Sequence, residues 1–176
     1  MRWVTRDHVH LDRAAATWLI RRFVDPEADF EFVPTFGWSG DLPDGATAFG
    51  LPLVELSSHD ANGSTFRKIA RWAELTDPAV QDMADILEDA IALFLMRIGK
   101  GPAPAAPHPA AEGLIAIAEG MAYAVRDDLE NVRLSAPLYE ALYAHCQAAR
   151  ALQVRPDLAG KAPHLIMDQM RPLIGR

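Results

Sequence analysis

Apolar and polar positions alternate in distinct registers along the chain, and the first 34 residues carry the clearest pattern. Trp3-Val4-Thr5-Arg6 reads as a strand, and Phe30-Glu31-Phe32-Val33-Pro34 as a second. Between them Ala15, Ala16, Leu19, Ile20 and Phe23 recur at helical spacing, giving one apolar face. Asp12 is placed to cap that helix, and Asp25-Pro26 stops it because proline disfavours a helical residue before it. The result is a βαβ unit. A turn-rich loop, 35–45, leads to two short buried strands, Ala46–Phe49 and Leu51–Leu56, around a Gly-Leu-Pro break. A polar turn, 57–63, then opens a helix over Phe66–Leu75, capped by Ser64 or Thr65.

Beyond residue 76 the periodicity is helical throughout. Asp77-Pro78 is a cap followed by a first-position proline, opening a helix that reaches Met96. Gly99–Ala111 holds four prolines and reads as a loop. Glu112–Ala124, Leu138–Leu152 and Ala162–Leu173 complete the chain as helices. The expected fold class is therefore α/β: an N-terminal half, 1–76, with a βαβ-containing, mostly parallel small sheet, and a helix-rich C-terminal half, 77–176. With 176 residues the expectation is one domain, its helical half covering the sheet or forming a homodimer surface.

Composition narrows the class. Half the residues are hydrophobic, so the chain can bury a core. A formal net charge of -7 gives no basic face for nucleic acid or acidic lipid. Cys146 alone excludes an internal disulfide, and the absence of a readable signal peptide or spanning segment makes a cytoplasmic, membrane-free protein the expectation. Cys146 sits among packing aromatics and reads as an inert thiol.

Candidate chemistry gathers where strands end. Asp7-His8-Val9-His10-Leu11-Asp12 places two imidazoles and two carboxylates at the carboxyl end of the first strand, and His59-Asp60 follows the strand expected to end at Leu56. If those strands are parallel neighbours, both clusters leave one sheet edge, where open α/β sheets build their sites. Imidazole and carboxylate ligands suit Mn2+, Zn2+ or Fe2+, with Asp12, His59 and His10 as ligands and Asp89 as a contribution from the long helix. The alternatives are plain: Asp12 as a helix cap, His59-Asp60 as a polar turn, and Asp82, Asp85, Glu88 and Asp89 as a solvated face. Arg6 ends the strand and Arg13 opens the helix, so both are placed to face an oxyanion at the helix N-terminus. Arg21 and Arg22 lie two turns further on and read as surface or interhelix ion-pair residues. No G-x-S-x-G, P-loop or G-x-G-x-x-G pattern is present.

Trp3-Val4-Thr5-Arg6, Asp12-Arg13, Trp18-Leu19-Ile20-Arg21-Arg22-Phe23 and Asp25-Pro26-Glu27-Ala28 together resemble the chromate-resistance domain family, and matches continue to about Cys146. That domain forms the C-terminal part of chromate-responsive bacterial regulators and also occurs alone. Two family cysteine positions are Ala16-Thr17, in place of Cys-Pro, and Ser64 here, so no thiol chemistry is expected at them. The family's His or Arg followed by Gly or Glu in the long helix is Glu88-Asp89. With its acidic charge and nothing ahead of Met1, the chain is not expected to bind DNA directly. The resemblance implies a sensor or accessory protein whose partner is a small oxyanion or a metal ion. A fainter likeness of Thr5, His10-x-Asp12 and His59 to DHH-type metal phosphoesterases implies the alternative, a metal-dependent hydrolase.

Overall fold

A computed structural model describes residues 1–174. Strand β1 (Arg2–Arg6) lies between β2 (Asp29–Val33) and β3 (Thr47–Ala48), and all three are parallel. Trp3 is in register with Phe30 on one side and Thr47 on the other. Trp3, Val4 and Thr5 are all fully buried, as a central parallel strand covered on both faces requires. The α/β class and the small parallel sheet are as the pattern predicts.

The second expected strand of the 46–56 segment is absent. Only the Phe49–Leu56 bridge links its ends, and the intervening residues turn across the back of the sheet. There Leu51 joins Val4 and Val33 in a small second core, with Trp38 and Val54 packed against it. The apolar run was real burial, but burial by a plug folded over a face. Leu53 pays the geometric consequence: it is fully exposed, at φ +61°.

Among the described residues six α-helices build the other face: α1 (Leu11–Leu19), α2 (Thr65–Trp72), α3 (Pro78–Arg97), α4 (Ala110–Ala124), α5 (Asp128–Gln153) and α6 (Pro163–Met170). The main core runs from Trp3, Phe30 and Phe49 through α1 to Ile115 of α4 and Tyr143 of α5, spanning both halves of the chain. Trp18 of α1 stacks on Phe66 of α2 and touches Tyr143 of α5, so α1 is the axle on which the helices assemble. After Leu19 the helix widens into a π-segment, Ile20–Val24, where the Asp25 amide donates to the Ile20 carbonyl five residues back. Helix α5 starts ten residues before the expected Leu138 and carries Pro137 inside it. Proline removes one intrahelical hydrogen bond, but Asp127, whose side chain accepts from the Glu130 amide, supplies a firm start well upstream.

Candidate functional site

The cleft at the carboxyl edge of the sheet brings together most of the residues singled out from the sequence. Its volume is about 210 Å³, and Arg6, His10, Asp12, Arg13 and His59 all line it, with an apolar wall that includes Phe94 of α3. β1 and β3 are parallel neighbours, but the strand expected to end at Leu56 is not there; the Phe49–Leu56 bridge and the turn after it bring His59 to the cleft instead.

The loop between β1 and α1 is held in an unusual shape. His8 has φ +56° and Leu11 φ +45°, both in the left-handed region that side chains rarely adopt. Four groups hold it there. The Arg13 guanidinium donates to the carbonyls of Arg6, Asp7 and His8, the last at 2.7 Å. Asp128, at the start of α5, accepts from the amides of His8 (3.1 Å) and Val9 (2.7 Å). Asn131 Nδ2 donates to the Val9 carbonyl, and the buried Tyr139 hydroxyl donates to the Leu11 carbonyl. Asp128, Asn131 and Tyr139 were not recognised from the sequence as part of a site. Asp128 and Tyr139 fall among the matches to the chromate-resistance family, and Asn131 carried no signal.

Asp12 is not the cap of its own helix. His10 occupies that position, no side chain caps α1, and Asp12 lies in the first turn. Its carboxylate instead accepts from the Thr65 amide at 2.9 Å and the Phe66 amide at 3.0 Å, tying α1 to the start of α2. Burial pushes its pKa up, while these amide hydrogen bonds pull it down. Asp12 thus lines the cleft with both oxygens already engaged.

Arg13 is nearly buried, and desolvation lowers its pKa to about 10, which leaves it charged at neutral pH. Its stem crosses Gly50: a Cβ there would meet Arg13 Cδ at 2.8 Å and Cγ at 2.9 Å. Arg6 differs from it. Half-buried at the cleft, it makes no side-chain hydrogen bond or ion pair among the described residues. His10 Nδ1 donates to the His8 carbonyl at 3.2 Å, which leaves the lone pair on Nε2. Burial lowers its pKa, and the Arg13 and Arg6 charges push in the same direction. His59 is exposed at the rim. Lys68, buried, donates to the Ser57 and Ser58 carbonyls and pairs with Asp60 at 2.7 Å, which fixes the turn that carries His59.

Asp89 is elsewhere. It accepts from the His108 amide at 2.8 Å and lines a separate hollow with Asp85 and His145. Its neighbours on α3 are ion-paired: Asp85 and Glu88 hold Arg67, and Asp82 holds Arg150. Among the described residues, no three His, Cys, Asp or Glu side chains gather closely enough to hold a metal ion.

The family model described as ChrB, C-terminal domain, matches residues 3–146. The chain belongs to the ChrB C-terminal domain family. Over 70 residues it is 41% identical to Protein ChrB of Cupriavidus metallidurans (strain ATCC 43123 / DSM 2839 / NBRC 102507 / CH34). That alignment covers 38% of this chain and 17% of the relative, so the chain spans only a small part of that protein's length. No solved structure matches. The ChrB match ends at Cys146, so it includes the whole cleft and each group that holds its loop. No helix among the described residues is long and apolar enough to cross a membrane.

Proposed function

We propose that this ChrB-type chromate-resistance domain is a sensor or accessory module that binds a small tetrahedral oxyanion of the chromate class at the carboxyl edge of its sheet. One observation carries the reading: Arg6, a half-buried cation without an acidic partner among the described residues, stands beside the uncapped start of α1. Burying an unpaired guanidinium is unfavourable unless something compensates it, and a doubly charged anion does. Backbone amides at the start of α1 and the positive end of its dipole add to the attraction. Arg13 contributes its charge, though its hydrogen bonds are spent on the loop carbonyls. Its part is to hold the loop that presents Arg6 and the helix start.

The family name on the matched relative supports chromate as the first anion to test. Thermal unfolding is followed with chromate, molybdate, sulfate and phosphate in turn, for the wild-type chain and Arg6→Gln. A bound ligand raises the midpoint by mass action, so the expected result is a concentration-dependent rise with chromate that Arg6→Gln loses. No rise with any of the four anions overturns the proposal.

A divalent metal is the second reading, favoured by the neutral imidazole of His10 and by His59 on the same rim. Mn2+, Zn2+ or Fe2+ would take those two nitrogens and fill its remaining positions from water or an oxyanion. Metal analysis of chelator-free protein tests it, with loss in both His10→Ala and His59→Ala as the expected result. The hydrolase alternative has no support in the relatives and finds the Asp12 carboxylate already committed to α2 amides.

A further inference from the structure

Helix α1 has a second cleft at its far end, about 13 Å along its axis from the first. Its volume is about 380 Å³, and it lies between the π-segment and α5. Trp18, Val132 and Pro137 supply apolar surface, and Arg21, Arg22 and Arg133 supply cations, against one lining carboxylate, Glu140. Two departures from regular helix meet here. The π-segment widens α1 at Arg21 and Arg22, and Pro137, having no N–H, leaves the Arg133 carbonyl without its usual intrahelical donor. π-turns are frequent at functional sites.

The cations are available. Arg21 has no acidic partner among the described residues; its guanidinium lies 4.8 Å from the Phe30 ring centroid and donates to the Ala28 carbonyl at a long 3.4 Å. Arg22 meets Glu140 at 3.6 Å, and Arg133 meets Glu130 at 3.8 Å, both loose surface pairs. Such pairs contribute little and exchange readily for a better-placed anion. Glu140 itself is engaged by the Trp18 indole at 2.9 Å. The surplus is positive in a chain whose net charge is -7.

We propose that this cleft is a second ligand site, for a small organic anion with a flat apolar body and one or two carboxylate or phosphate groups. Size separates it from the first cleft: sites for organic ligands run from roughly 300 to 1,000 Å³, a range the second cleft enters and the first does not. The apolar body lies on Pro137 and Ala136 and reaches the edge of the otherwise buried Trp18, and the acidic group meets Arg133 and Arg21. The proposal stands independently of the oxyanion reading.

The test uses 1-naphthoate as probe on the full chain, with the neutral 1-naphthalenemethanol and inorganic phosphate as controls. The assigned Trp18 indole N–H resonance is followed in two-dimensional NMR for wild type, Arg133→Gln and Arg6→Gln. The expected result is a saturable shift with naphthoate, about tenfold weaker affinity in Arg133→Gln, and an unchanged response in Arg6→Gln. Arg133 is exposed, so its variant retains the fold. An equal response to the alcohol, an undiminished response in Arg133→Gln, or a response lost in Arg6→Gln overturns the proposal.

Discussion

Replacing Asp12 by alanine should destabilise the chain by about 3 kcal/mol. Its carboxylate is the acceptor for two amides, those of Thr65 and Phe66, and both residues are completely buried. Hydrogen bonds to a charged group contribute roughly 1.5–3 kcal/mol each, and a buried N–H left without an acceptor forfeits roughly 1–3 kcal/mol. Two such bonds, plus a carboxylate at the positive end of α2, set the upper part of the range. Against them stands the desolvation that raises the Asp12 pKa, which alanine relieves. The balance is near 3 kcal/mol, equivalent to about 6–12 °C in melting temperature for a domain of this size. Asp12→Asn keeps one acceptor oxygen and should lose about half as much. Urea unfolding followed by tryptophan fluorescence reads both values. A loss below about 1 kcal/mol for Asp12→Ala would refute the assignment of Asp12 as the clasp between α1 and α2. The same figure means that a lost ligand response in Asp12→Ala reports the fold as much as the site.

Gly50→Ala should cost about 1–3 kcal/mol, because Gly50 has φ +62° and the new Cβ would strike the Arg13 stem; chemical denaturation reads the loss, and an unchanged midpoint contradicts it. His10 gives a pH signature. Burial first, then the Arg13 and Arg6 charges, hold its pKa below 6.5, so the unfolded chain takes the proton first. Its contribution to stability is present above pH 6.5 and is lost as the pH falls. A bound dianion favours the protonated imidazole, so binding of molybdate, which unlike chromate is fully ionised near pH 6, should take up protons, read by calorimetry in buffers of different ionisation enthalpy; zero uptake contradicts it. Cys146, whose thiol burial pushes up to about 11, should resist disulfide reagents at pH 8 in the native state and react at once in denaturant. Fast native labelling would place it outside the core.

Local pattern made β1, α1, β2 and α3 legible, since each buries a face at its own period. The Arg22–Glu140 pair fits the interhelix role expected of Arg22. What local pattern hid was long-range pairing. Asp12 looks like the cap of the helix that follows it, yet the folded chain gives its carboxylate to α2, 53 residues on. Asp128 looks like part of a helix start, yet it grips the loop 120 residues earlier. The helix expected over Leu138–Leu152 begins at Asp128 and carries Pro137 in its interior. The gathering of Arg6, His10, Asp12 and Arg13 was legible because a parallel strand delivers its carboxyl end to the sheet edge; His59 reaches the same cleft by the turn after the Phe49–Leu56 bridge, not from the end of a strand. The separation of Asp89 was not, because a helix face carries no mark of which neighbour it meets.

An oxyanion resting on Arg6 at the start of α1 can be located directly. Diffraction from a crystal soaked in molybdate or chromate, with data at the metal's absorption edge, locates the anion through its anomalous signal. The expected peak lies within hydrogen-bond distance of the Arg6 guanidinium and the first-turn amides of α1. A peak confined to the second cleft, or none in the first under conditions where solution binding saturates, would contradict it.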